Sequence, residues 1–315
     1  MKIAFLGNFL NQYSSENDWK TTLEGLGHTV IPMQENHSDT DYIYDQAAKS
    51  DLFMWTHTHG WNPHGDVTMT EVLKQLDKKG VPSFSYHLDL WLGIDREADF
   101  EKHPFWKVRY KFTVDGEMAT NPNHFWVPPA IAESSCFNGD SREELEHDVI
   151  FVGSERYHPE WPYRPRLIDA LALRYGGKFK RYGSGGEIMR GEDLNALYAS
   201  SNVVVGDSLC PTFEKPFYWS DRATETMGRG GFLIHPYVKG MDLFFQNEEH
   251  LVYYNYGDFE DLFAKIDYYL ENGLERKIIA TKGMLHVRDN HTYKNRFTQI
   301  LTTLALLEPQ LRGKV

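Results

Sequence analysis

Ser220-Asp221-Arg222-Ala223-Thr224-Glu225-Thr226-Met227-Gly228-Arg229-Gly230-Gly231 runs directly into Phe232-Leu233-Ile234-His235-Pro236. The first twelve residues read as a short helix closed by glycines, and the next five as a buried strand. Arg222 and Glu225 stand three apart and share a helix face. One cation and one anion can therefore meet a single ligand, with the positive helix end behind them. A nucleoside diphosphate suits such a pair: the guanidinium fork meets phosphate, and the carboxylate accepts from ribose hydroxyls. The same two residues also suit an ordinary surface ion pair.

The helix–strand step sits inside a longer alternation. Residues 149–153, 179–182, 203–206, 232–235 and 252–254 read as strands, and 166–175, 192–200, 221–227, 259–271 and 274–288 as helices. Upstream, 2–6, 29–32, 52–56, 82–87, 112–114 and 125–127 read as strands, with helices over 17–26, 41–48 and 68–79. Such alternation predicts α/β units whose parallel sheets are covered on both faces. The expected division is an N-terminal domain over 1–145 and a second over 146–290, doubly wound and facing across a ligand cleft. The turn Trp126-Val127-Pro128-Pro129-Ala130 and the polar stretch 134–146 read as the linker. The amphipathic helix 292–307, within the tail 291–315, can return to the first domain.

Composition sets bounds. The chain has 315 residues, 25% charged and 41% hydrophobic, as in a globular protein of two domains. Residues 1–145 hold 12 Lys+Arg against 22 Asp+Glu, most of the net charge of −12, and the remainder is nearly neutral. An acidic first half argues against broad contact with DNA, whose binding rests on phosphate neutralisation. Cys136 and Cys210 form no disulfide framework and no metal motif. No run approaches the ~20 apolar residues of a membrane span, and residues 1–7 read as a strand rather than a signal peptide. A cytoplasmic location is expected.

In an open α/β sheet the loops after the strands build the site. Gly7 ends the first strand, where backbone can approach a ligand. After the third come His57, His59, His64 and Asp66; their order matches no standard zinc spacing, so a polar loop in which His57 or His59 touches a hydroxyl or phosphate is expected. His87 and Asp89 alternate at the end of the fourth strand. Asp89 suits a general base, or an N-cap. In the second half, Gly153-Ser154-Glu155-Arg156 offers backbone donors and a cation for a diphosphate; Arg164 and Arg166 read as solvated helix charges. Tyr182 and Gly183 open a glycine-rich turn fit for a flat base, and Ser208 follows the strand before Arg222.

These pieces, in order, resemble a known family. His87-Leu88-Asp89, Trp126-Val127-Pro128-Pro129-Ala130, His147-Asp148-Val149-Ile150-Phe151-Val152-Gly153-Ser154, the opening stretch through Leu233, Leu251-Val252-Tyr253-Tyr254-Asn255 and His291-Thr292-Tyr293-Lys294-Asn295-Arg296 are similar to GT-B glycosyltransferases. They look most like relatives of the spore-maturation protein CgeB, among group 1 glycosyltransferase-like proteins, over residues 80–300. The resemblance implies a metal-independent transferase without cofactor, moving a sugar from a nucleotide-sugar donor to a hydroxyl of a small molecule, glycan or protein. It implies ribose contact by Glu225, diphosphate contact by Arg156 and Arg222, and base contact by the loop from Tyr182 to Met189. Alternatives are a hydroxymethylated DNA base as acceptor, a nucleotide-sugar epimerase, or a non-catalytic sugar-binding protein. The sequence departs from many retaining members in one place: Phe217 stands eight before Glu225, where they carry a second glutamate.

Overall fold

A computed structural model describes residues 1–57, 63–90, 92, 95–119, 121–155, 162–208 and 215–315. Its contacts divide the chain into two units, Met1–Val127 with Tyr293–Val315, and Pro128–Thr292.

The first unit opens with β1 (Lys2–Gly7), whose Ile3, Ala4, Phe5 and Leu6 are all fully buried. An uninterrupted apolar run requires cover on both faces of a sheet. That cover comes from α1 (Ser15–Gly25), α2 (Thr40–Ala47) and α3 (Met69–Lys79), which alternate with β2 (Thr29–Gln34), β3 (Leu52–Trp55) and β4 (Ser83–His87). With β5 (Tyr110–Thr113) and β6 (His124–Trp126) the strands form a parallel sheet in the order β2-β1-β3-β4-β5-β6. Ser14, Asp39 and Thr68 cap the three helices by accepting from the N–H groups of Asn17, Tyr42 and Glu71.

The second unit repeats the scheme. β7 (His147–Val152), β8 (Phe179–Tyr182), β9 (Ser201–Val205), β10 (Leu233–Pro236) and β11 (Val252–Tyr254) lie parallel in the order β11-β10-β9-β7-β8. Between and after them run α4 (Tyr163–Tyr175), α5 (Gly191–Ser200), α6 (Arg222–Gly228), α7 (Phe259–Glu271) and α8 (Gly273–Asn290). Val149, Phe151, Val203 and Val205 fill one core, and Ile150, Val152 and Val204 the other, so both sheet faces are covered.

The division falls at Val127/Pro128, not at 145/146. The polar stretch read as a linker is bound into the second unit. Buried Asn195 donates from Nδ2 to the carbonyls of Ser135 (3.0 Å) and Phe137 (2.7 Å), and Ile131 packs so tightly on Gly228 that a Cβ there would lie 3.0 Å from it. The last helix, α9 (Tyr293–Leu307), lies in the first unit. Its Tyr293 and Phe297 rings meet Trp19 edge-on at 5.9 and 6.0 Å. Among the described residues no helix is long and apolar enough to cross a membrane.

Candidate functional site

All strands in each sheet are parallel, so their carboxyl ends gather on one edge. In the second unit that edge is held together by two glycines and two arginines. Gly153 follows β7, and its N–H donates to the Tyr182 carbonyl at 2.8 Å. A Cβ on Gly153 would lie 2.8 Å from Arg222 Nη2, and one on Gly183 2.7 Å from the Gly153 carbonyl oxygen. Only glycine lets the two strand ends close up and the guanidinium lie flat on the backbone.

Arg222 donates from Nη1 to the Asp207 carbonyl at 3.1 Å. The Asp207 carboxylate accepts from Arg164 Nε at 2.7 Å, and both side chains are 2% exposed. Arg164 also donates from Nη1 to the Ser154 carbonyl at 3.0 Å. Both guanidiniums lie 5.7 Å from the Phe151 ring centroid. Burial, then the charge of Arg164, holds Arg222 below its ordinary range. Burial pushes Asp207 upward against the pull of both arginines. Arg164 thus holds the Asp207 carboxylate while Arg222 lies on the Asp207 backbone carbonyl. Asp207 Oδ1 and Arg164 Nη2 are buried and have no hydrogen-bond partner among the described residues.

Arg222 and Glu225 do not pair with each other. Glu225 Oε2 accepts from Arg229 Nε at 2.8 Å, and Arg229 Nη1 reaches Asn195 Oδ1 and the Gly191 carbonyl. The chain Arg229–Asn195 thereby fixes the carboxylate from behind, leaving its side chain 26% exposed. Burial raises the Glu225 carboxyl, and Arg229 opposes the shift. α6 has only seven residues, too short for the expected dipole at its start.

Tyr182 is fully buried and shares a core with Met189 and Leu197; its hydroxyl bonds His147 Nε2 at 2.8 Å. The Tyr182 and Met189 side chains are both packed inside the unit. Ser208 is a tie within the unit: its Oγ bonds His235 Nε2 and accepts from the Ser220 N–H, both at 3.2 Å. Arg164, read as a solvated charge, is buried at the centre of the cluster, and Arg166 is exposed. Arg156 lies outside the described residues, as do His59 and Trp161.

In the first unit, Gly7 makes room for α1: a Cβ there would lie 2.9 Å from Glu16 Cγ. His87, the last residue of β4, is buried with its ring 4.4 Å from Trp106 and 4.8 Å from Phe105. Asp89 is half-buried just beyond it. His57 is buried after β3 and faces Glu35, a carboxylate the sequence reading did not single out. Among the described residues no group of three or more His, Cys, Asp or Glu is placed to hold a metal ion. A cavity of about 930 Å³ opens at the opposite edge of the second sheet, beside His147, Asn202 and Arg276, and includes none of the cluster above.

Residues 164–302 match a family model described as glycosyl transferase-like. The match begins at Arg164 and takes in Asp207, Arg222 and Glu225. Anabaena HepE, solved with UDP and glucose, aligns over 97% of this chain and 100% of its own, with a TM-score of 0.68 and 14% identity. A glycosyltransferase from Rickettsia africae aligns over 99% of both chains, with a TM-score of 0.64 and 12% identity. An alpha-glucosyltransferase bound to UDP and a 13-mer DNA containing a HMU base aligns over 97% of this chain and 99% of its own, with a TM-score of 0.71 and 10% identity. No curated protein matches the sequence. The fold is that of the GT-B glycosyltransferases. Residues 164–302, a little under half of the chain, are thus similar to the glycosyl transferase-like family.

Proposed function

We propose that the second unit binds a UDP-sugar and that the protein transfers the sugar to a hydroxyl of a small molecule, glycan or protein. The observation that carries this reading is the gathering of two enclosed guanidiniums at Asp207, Arg164 on its carboxylate and Arg222 on its backbone carbonyl. A diphosphate supplies oxygens for unpaired Arg164 Nη2 and relieves the repulsion between the two arginines. Glu225, held by Arg229, accepts from ribose hydroxyls. UDP is chosen because HepE and the alpha-glucosyltransferase were solved with it. The arginines stabilise the leaving diphosphate without a divalent ion, and Asp89 orients or deprotonates the acceptor hydroxyl.

A thermal-shift panel of nucleotides and nucleotide sugars, run with a chelator, tests the donor. A ligand that binds only the folded state raises Tm by mass action. UDP and UDP-glucose should raise it, and Arg222→Ala should lose the response while still folding. No shift with any member of the panel overturns the reading. Binding without turnover would point to a non-catalytic sugar-binding protein. The DNA-bound neighbour motivates one further arm, a hydroxymethylated oligonucleotide as acceptor. Binding that weakens steeply with salt would support it, against the acidic balance of residues 1–145.

A further inference from the structure

The cavity of about 930 Å³ opens where the strands of the second sheet begin, at the edge away from Arg222 and Glu225. Asp148, near the start of β7, and Asn202, near the start of β9, stand in one wall; Arg276, Lys277 and Thr281 of α8 stand in another. Lys277 and Thr281 are four apart and share a helix face. Arg276 is 8% exposed. It donates from Nη1 to the Tyr269 carbonyl at 2.5 Å and from Nη2 to Asn202 Oδ1 at 2.6 Å. Asn202 donates in turn from Nδ2 to Asp148 Oδ1 at 3.1 Å, and Asp148 Oδ2 pairs with Lys178 Nζ at 3.3 Å.

Asp148 is thus engaged by Asn202 and Lys178, while the enclosed guanidinium meets only neutral oxygens, through two of its five N–H groups. Among the described residues neither Arg276 nor Lys277 forms an ion pair. Burial lowers the Arg276 pKa, and the charge of Asp148 opposes the shift. A cation withdrawn from water without a counter-ion costs stability that an anion in the cavity would restore. Thr281 Oγ1 donates to the Lys277 carbonyl and keeps its lone pairs for a ligand hydroxyl. The rings bordering the cavity, Tyr198 and Phe232, are 2% and 3% exposed, so no open face is offered to a nucleobase. Glu146 and Asp148 in the walls repel an extended polyanion. We propose that this cavity is a second binding site, apart from that of the nucleotide sugar, for an anionic saccharide. Its phosphate or carboxylate meets Arg276 and Lys277, and its hydroxyls meet Thr281 and the polar wall beside it. The volume is that of a small-molecule site. The proposal stands independently of the donor reading above.

Isothermal titration calorimetry with glucose 6-phosphate, glucuronate, glucose and inorganic phosphate, each with and without saturating UDP, tests the site. At least one of the two anionic sugars should bind more tightly than both glucose and phosphate, whether or not UDP is present; the tighter of the two identifies the anionic group. Arg276→Gln and Lys277→Glu should each weaken that binding about 10- to 100-fold. Lys277 is exposed, so its variant carries the test if Arg276→Gln does not fold. An anionic sugar that binds no better than glucose, or no better than phosphate alone, overturns the proposal. So does an affinity that Lys277→Glu leaves unchanged, or competitive displacement of the sugar by UDP, which would place it in the donor site. Should UDP itself not bind, the donor reading fails and the titrations without it still decide this one.

Discussion

His235 shows how a single residue couples the site to pH. It is 1% exposed; its Nδ1 donates to the Pro236 carbonyl at 2.7 Å and its Nε2 accepts from Ser208 Oγ. Only a neutral imidazole can do both. Burial lowers its pKa from 6.5 to about 4, with the charge of Arg222 adding to the shift. Between those values the unfolded chain takes up a proton that the folded chain refuses. Its contribution is therefore complete above pH 6.5 and is lost as pH falls toward 4, by up to about 3 kcal/mol. Urea unfolding at pH 7 and pH 5 should show wild type losing more stability than His235→Asn over that interval. Equal losses would show that the histidine is charged in the fold. Residues differ in how far the sequence exposes them. Gly153, Gly183 and Arg222 are legible because strand ends and the helix after them are legible. Tyr182 and Met189 are not, since which face of an element a side chain takes depends on what packs there. Arg164 is hidden because its partner, Asp207, lies 43 positions away. Glu35 is hidden because His57 reaches it only across β1.

Among elements, the β8–α5 turn is tightly constrained. Gly183 sits at φ 114°, where a side chain is strained, and its Cβ would press on the Gly153 carbonyl. Gly183→Ala should cost about 1–3 kcal/mol and weaken UDP binding, because Gly153 is the surface on which Arg222 lies. Calorimetry with and without UDP checks both effects; a full UDP response in the variant would separate the turn from the site. The alternation of strands and helices was readable from periodicity, since central strands of both sheets, such as Leu52–Trp55 and Ser201–Val205, carry uninterrupted apolar runs. The stretch 134–146 was not. Its polar composition reads as a linker, yet Asn195 holds the carbonyls at 135 and 137, and hydrogen bonds to backbone leave no trace in side-chain chemistry.

At the scale of the whole molecule, the first unit is discontinuous. Phe297 is fully buried and meets Trp19 and Tyr86 edge-on. Beyond it, Glu308 accepts from Tyr110 Oη at 2.7 Å and pairs with Arg109 at 2.5 Å. Phe297→Ala should cost roughly 3–5 kcal/mol and fall on the first unit alone. A melt followed by tryptophan fluorescence should show an early transition, with nucleotide binding by the second unit retained. A single unshifted transition would contradict it. The same discontinuity governs how the protein is made. When residue 127 leaves the ribosome, the surface that α9 will cover, including Trp19 and Tyr86, is still bare. At roughly 5–20 residues per second, the segment that covers it follows on the order of ten seconds later. The second unit, an unbroken stretch of chain, can finish folding in that interval. Newly made chains therefore pass through a stage in which one half is complete and the other waits with an aromatic face open to chaperones.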